Sequence, residues 1–368
     1  MTWSFQVLGA GCWPLHGYDK EEFAKHTFRA RYKGCCLAGG IHGLLDAVLG
    51  DLEFHATTFE VDNYGRNEMC HLCGASKTDP GRYFTQTGPT AGWQATRTNN
   101  QEWQALMYQS PRPQPELTKI PGLHLLRLML CGLHTVDGGV MGHWVGNFIW
   151  ESTSGDRFGP GPREARALKI TRAQKAYLDD CKANRVVARS GGDWTVQKFN
   201  KKKATNYPFF KGKAAETKHV ALWCAGKSLE WNDGTEHASL VAAIGWAVME
   251  YYDVIDNGPR YLPPDLLERL QRSVAIFLQC YLALACEATT ARIPAWHWVP
   301  KHHMFEHMAD TIAPQINPKY VTTYGGEDLV GKIGKLASKC HKRATCKSVL
   351  VRYMVMFAYE WGLIGRND

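Results

Sequence analysis

The chain has 368 residues, 45% of them hydrophobic and 21% charged, an ordinary balance for a folded soluble protein. It is long enough for two domains or one large domain with an insertion. A formal charge of +8 with a pI near 8.8 suits a polyanionic partner without requiring one.

Twelve cysteines are spread along this length. Met1 to Cys12 has no basic stretch and only a short apolar one, so no secretory signal is visible. A reducing compartment is expected, with cysteines serving metal or packing rather than disulfides. Cys280 and Cys286 sit in apolar runs and read as buried thiols. The longest apolar stretch, Val274 to Cys286 broken by Gln279, is too short to span a membrane, and no membrane partner is expected.

In chain order, Glu21 to Tyr32 reads as a helix, and the apolar, glycine-containing run Leu37 to Leu49 leads into Gly50-Asp51. Leu52 to Ala56 reads as a strand end passing into helix or loop. Residues 62–120 are rich in Asn, Gly, Thr and Pro and read as a loop region pinned by Cys70-His71-Leu72-Cys73. Pro121 to Ile149 is apolar again, first strand or buried helix, then helix, and carries Cys131-Gly132-Leu133-His134. Residues 152–163 form a linker. Helices are then expected over Ala165–Asn184, Leu240–Val254, Pro263–Ala288, Glu327–Cys340 and Cys346–Leu363, the third with its prolines where a helix start tolerates them.

Four groups of residues carry chemistry. The first is the C-x-x-C, whose thiolates can bite one tetrahedral Zn²⁺ if two more ligands close the site; Cys131 and His134 can supply them, or can simply be core residues. The second is the acids: Asp51 at the end of an apolar run, Asp137 after His134, and Glu327 opening a helix. Each has a plain reading as a cap, turn or first-turn residue. Carboxylates that converge can instead hold Mg²⁺ or Mn²⁺ for phosphoryl chemistry. The third is Trp296 to His307, with four histidines. His303 and His307 are i, i+4 on one helix face, which makes a metal site conceivable, but Met304 follows His303, so H-E-x-x-H and a zinc protease are excluded. The fourth is basic: Lys198, Lys201, Lys202, Lys203, Lys211 and Lys213 among aromatics, and Lys332, Lys335 and Lys339 at i, i+3, i+7, continuing into Lys342, Arg343 and Lys347. These are solvated faces or DNA contacts.

The order Gly50-Asp51, C-x-x-C at 70–73, C-x-x-H at 131–134, a long helical segment, Pro300-Lys301-His302-His303-Met304 and Gly325-Gly326-Glu327 resembles a eukaryotic cut-and-paste DDE transposase. The nearest type is Kyakuja–Dileera–Zisupton and Plavaka, with CACTA and hAT elements as relatives. The resemblance covers roughly residues 40–345 and rests on short, degenerate motifs taken in order. It implies an α/β fold, an RNase H-like core interrupted by a large all-helical insertion. The expected layout is a partial core with the C-x-x-C loop over 1–150, the insertion over 151–295, and a carboxy-terminal core segment over 296–368. It further implies that Asp51 is the second catalytic Asp, that Glu327 is the final Glu, and that Cys131 and His134 are structural. Two Mg²⁺ ions would serve DNA cleavage and strand transfer. Structural Zn²⁺ is expected on Cys70 and Cys73, with Cys131 and His134 as the candidates to complete the site. The remaining expectations are DNA as partner through Lys201, Lys202, Lys203, Lys332, Lys335 and Lys339, a nuclear location, and compatibility with a homo-oligomer.

The sequence departs from that family in one respect. The first Asp should lie upstream, where only Asp19, in a turn, and Asp46, too near Asp51, are present. The expectation is therefore an amino-terminally truncated or decayed copy without a complete catalytic set. The alternative is a zinc-stabilised, non-catalytic DNA-binding or interaction protein, and a third reading is an unrelated metal hydrolase using the His297–His307 cluster.

Overall fold

A computed structural model describes residues 2–43, 45–109, 115–120, 122–160, 165–189, 191–340 and 345–361. The chain divides into two compact units, Met1–Val321 and Thr322–Asp368. The boundaries expected near 150 and 295 do not separate compact units, because one continuous set of buried side chains runs from Phe59 to Val321.

The first unit is mostly helical. It begins with α1 (Thr2–Ala10) and a short α2 (Phe28–Tyr32), much less than the helix expected over 21–32. Strand β1 (Val48–Gly50) pairs in parallel with β2 (Leu128–Leu130), with Gly50 opposite Leu130. Among the described residues this two-stranded sheet is the whole of the β-structure beyond isolated bridges. After β1 comes α3 (Leu52–Phe59), where a strand end passing into helix or loop is expected. The cause is local: Asp51 is its N-cap, with Oδ1 accepting a hydrogen bond from Phe54 N at 2.7 Å.

Residues 60–99 are irregular, but the loop expected over 62–120 is broken by α4 (Asn100–Gln109). Beyond β2, a π-helical stretch, Leu133–Val140, runs directly into α5 (Met141–Ser152), which buries Trp144, Val145, Phe148 and Ile149. Then follow α6 (Arg166–Ala183), α7 (Ala214–Glu230), α8 (Glu236–Asn257) and α9 (Pro264–Thr290). Apolar residues recur on α9 at helical spacing, Leu270, Val274, Phe277, Leu278, Tyr281 and Leu284, and that stripe is its buried face. Helices α7 and α8 approach closely at Gly245, where a Cβ would stand 1.9 Å from Ser228 Oγ.

By length and composition alone, α8 and α9 are each long and apolar enough to cross a membrane, although the apolar run Val274 to Cys286 within α9 is too short to do so. They pack against each other, and 56% and 44% of their most apolar windows are buried in the protein. Cys286 is exposed and Cys280 only partly buried, because both lie off the buried stripe of α9.

Helix α10 (Pro300–His307) opens with proline at its first position and continues into a π-helical turn, Met308–Ile312. It is buried all round from His302 to His307, so its histidines are core residues before they are anything else. The second unit holds α11 (Tyr324–Ala337) and α12 (Thr345–Glu360), which pack together.

Candidate metal centre and the Asp51 pocket

The C-x-x-C sits in a tight turn closed by Met69 N donating to Ala75 O at 3.1 Å. Leu72 N donates to Cys70 Sγ at 3.3 Å, and Gly74 N donates to Thr96 Oγ1 at 2.9 Å. The turn therefore presents both sulfurs inward, with Cys70 and Cys73 almost fully buried. Against them α10 turns the face that carries His303 and His307. Cys73 Sγ lies 3.3 Å from Nε2 of each imidazole. One ligand atom from each of Cys70, Cys73, His303 and His307 lies within 4.8 Å of all the others. Tetrahedral Zn²⁺ with bonds of roughly 2.0–2.3 Å spans such a set after a small contraction, and two thiolates with two imidazoles are a usual structural donor set.

The partners of the C-x-x-C are thus His303 and His307, where Cys131 and His134 were expected. The helix register brings residues more than two hundred positions away onto the turn.

Surrounding groups hold the imidazoles in place. His307 Nδ1 lies 3.1 Å from Thr311 Oγ1 and 3.3 Å from Asp310 Oδ1, leaving Nε2 toward the sulfurs. Asp310 is in turn ion-paired with Arg97. The Trp93 ring meets both imidazoles edge-on, with centroids 4.6 Å and 5.1 Å away. A cleft of about 550 Å³, lined in part by Asp62, Arg66 and Trp103, reaches both cysteines and gives an entry path.

The protons are distributed as in a site that wants a cation. Burial opposes ionisation of Cys70, but the Cys73 thiol and the His307 and His303 imidazoles outweigh it and draw Cys70 well below the usual thiol range. The hydrogen bond to Cys70 and burial push Cys73 up. Burial pulls His303 down. Burial also disfavours charge on His307, but Cys70 and Asp310 prevail and raise it to about 9. Charge is thus drawn onto Cys70 and His307 together, while Cys73 is held toward its protonated form.

Cys131 and His134 lie elsewhere. Gly50 and Leu130 are in register, so Asp51 and Cys131 leave the two parallel strands side by side at their carboxyl ends. There they line a pocket of about 150 Å³ with Glu53, His134 and Lys301. His134 Nδ1 is 3.4 Å from Cys131 Sγ. Burial lowers the Lys301 ammonium below the ordinary lysine range, while the charges of Asp51 and Cys131 act to raise it. These groups do not close into a metal-ligand cluster: among the described residues, the Cys70–Cys73–His303–His307 set is the one that does. In the sequence Lys301 reads only as part of the Pro300–Met304 block and not as a site residue, because a single lysine before a histidine pair carries no spacing signal.

The other candidate acids have local partners. Asp137 is buried and Oδ1 accepts from Tyr252 OH at 2.5 Å. Asp19 closes a turn by accepting from Glu21 N, and Asp46 pairs with Arg127 and Arg260. Glu327 belongs to the second unit, exposed in the first turn of α11.

The basic residues divide. Lys201 is buried, donates to the carbonyls of Ala204 (2.8 Å) and Asn206, and lies over the Trp150 ring, so it is a structural lysine, contrary to the DNA-contact expectation. Lys198 is likewise held, paired with the buried Glu216 at 2.8 Å. Lys202, Lys203, Lys211 and Lys213 are exposed, as are Lys332, Lys335 and Lys339 on α11, where Lys332 pairs with Asp328. Lys342 and Arg343 lie outside the described residues.

Comparison with protein families, curated proteins and solved structures finds no match to this chain in any of the three.

Proposed function

We propose that this chain is a transposase-derived protein that binds DNA without cutting it, its larger unit held together by a structural Zn²⁺ on Cys70, Cys73, His303 and His307. The observation that carries the proposal is the donor set: two buried thiols and two buried imidazoles, the four donors that a closed tetrahedral site takes. When bound there, Zn²⁺ supplies a cross-link between the 60–99 loop region and α10. The exposed lysines Lys202, Lys203, Lys211 and Lys213, with Lys335 and Lys339, supply the phosphate contacts. The motif order supports the transposase ancestry, an RNase H-like core and a nuclear location.

The non-cutting part rests on Asp51. Its carboxylate caps α3, and the pocket beside it holds a thiol, an imidazole and an ammonium, with Glu53 from the same helix end as the other acid. Two Mg²⁺ or Mn²⁺ ions need carboxylates converging from separate elements. A second reading, a Mg²⁺-dependent nuclease, is favoured by one observation: Asp51 stands at the carboxyl end of a parallel strand, where α/β folds place their sites.

A nicking assay on end-labelled duplex DNA with Mg²⁺ or Mn²⁺, run beside a salt titration of binding, separates the two. The proposal predicts salt-sensitive binding and no nicks. Nicking that disappears in Asp51→Ala would establish the second reading instead.

A further inference from the structure

Three cysteines of the amino-terminal segment, Cys12, Cys35 and Cys36, belong to neither site, and all are exposed with free thiols. Cys12 and Cys36 face each other across an isolated antiparallel bridge. Its hydrogen bonds come from the flanking residues: Leu37 N donates to Gly11 O at 2.7 Å, and Trp13 N donates to Cys35 O at 2.8 Å. That pattern defines a non-hydrogen-bonded cross-strand pair, in which opposed Cα atoms stand roughly 4.5 Å apart with side chains on one face. A disulfide accepts Cα separations of about 4.4–6.8 Å. Cys35, one residue along, points to the other face of the ladder and is misplaced for Cys12.

We propose that Cys12 and Cys36 form a reversible disulfide when the chain meets a small-molecule disulfide oxidant of the oxidised-glutathione class. The Cys12 thiolate attacks one sulfur of the oxidant, forming a mixed disulfide and releasing one glutathione thiolate. The Cys36 thiolate then attacks Cys12 Sγ, forming the Cys12–Cys36 bond and releasing the second. Two protein thiols are oxidised, one disulfide is reduced, and the two thiol protons end on the two glutathione thiols. The bond closes a loop of roughly two dozen residues. Within that loop α2 packs Phe28 and Tyr32 against Trp13, with ring centroids 5.5 Å and 6.1 Å from the indole, so oxidation adds a covalent tie to an aromatic cluster that the reduced chain holds by packing and backbone hydrogen bonds. In a reducing compartment the pair stays open, and its state reports the local thiol poise.

The test is equilibration of the full, zinc-loaded chain in a glutathione redox buffer, followed by acid quench, alkylation and peptide mass mapping. The expected product is a Cys12–Cys36 cross-link that persists in Cys35→Ser and is lost in Cys36→Ser, where Cys12 remains a glutathione mixed disulfide. Cys286, an exposed free thiol on α9, provides the reference. Two results would overturn the proposal: Cys12 and Cys36 following the same glutathione dependence as Cys286, or a cross-link that survives Cys36→Ser by way of Cys35.

Discussion

The Cys70–His307 centre and the Asp51 pocket are built from similar residues and differ in closure. Each has a C-x-x motif that ends in a ligand, each borrows from α10, and each adjoins a π-helical stretch, Met308–Ile312 in one case and Leu133–Val140 in the other. At the first, α10 contributes two imidazoles, and four donors converge within 4.8 Å. At the second it contributes an ammonium, and the donors do not converge. One helix thus presents cation ligands to one neighbour and a cation to the other. Metal-site formation depends on what the facing element presents, and a motif by itself supplies only half a site.

The largest effect should separate the two regions most clearly. Cys73→Ser, or chelation of the wild-type chain, is expected to destabilise the first unit by more than about 3 kcal/mol, measured by denaturant unfolding with and without added Zn²⁺. Cys131→Ser should cost no more than about 2 kcal/mol and show no dependence on Zn²⁺. Equal losses for the two would erase the distinction.

Next comes the support behind His307. Asp310→Asn removes the charge facing Nδ1 and should weaken Zn²⁺ about 10–100-fold in a competition titration with a chromophoric chelator. An unchanged affinity would mean that Asp310 serves only Arg97.

Proton release gives a smaller but sharper signal. Without metal, His307 is raised to about 9 and Cys73 is pushed up, so both carry protons at pH 7.5, whereas Cys70 is drawn well below the usual thiol range. Zinc uptake should therefore release the His307 and Cys73 protons, and affinity should rise with pH through and beyond the titration of His307, because Cys73 still carries its proton there, as read by calorimetry in buffers of different ionisation enthalpy. Release of none would contradict that distribution.

The smallest effect concerns Asp51. As the N-cap of α3 it should lose about 1 kcal/mol on substitution by Ala, and less on substitution by Asn or Ser, which also cap. An Asp51→Asn change as damaging as Asp51→Ala would point to a role for the charge itself.

Much of the helical architecture was legible in the sequence. The apolar stripe of α9 with Pro263-Pro264 before it, the loop character of 60–99 and the i, i+4 placement of His303 and His307 are local patterns, and local patterns are what a sequence displays. The ligand pairing was not legible. His303 and His307 reach Cys70 and Cys73 only after β2, the π-helical stretch and α5 to α9 have folded back, and no spacing rule encodes that return. Proximity in sequence favoured Cys131 and His134, and register sent them to the end of β2 instead. Lys201 misled for a related reason: a lysine in a basic run looks solvated, but two carbonyls and the Trp150 face had claimed it. The helix at 52–59 follows from the Asp51 cap, which is the plain reading of that residue in the sequence.

The most direct test of the account is zinc stoichiometry, measured by elemental analysis on the purified full chain and two double variants. The account predicts one Zn²⁺ per chain, retained when Cys131 and His134 are replaced by Ser and Ala and lost when His303 and His307 are both replaced by Ala. Zinc that stays in the second variant and leaves in the first would contradict it.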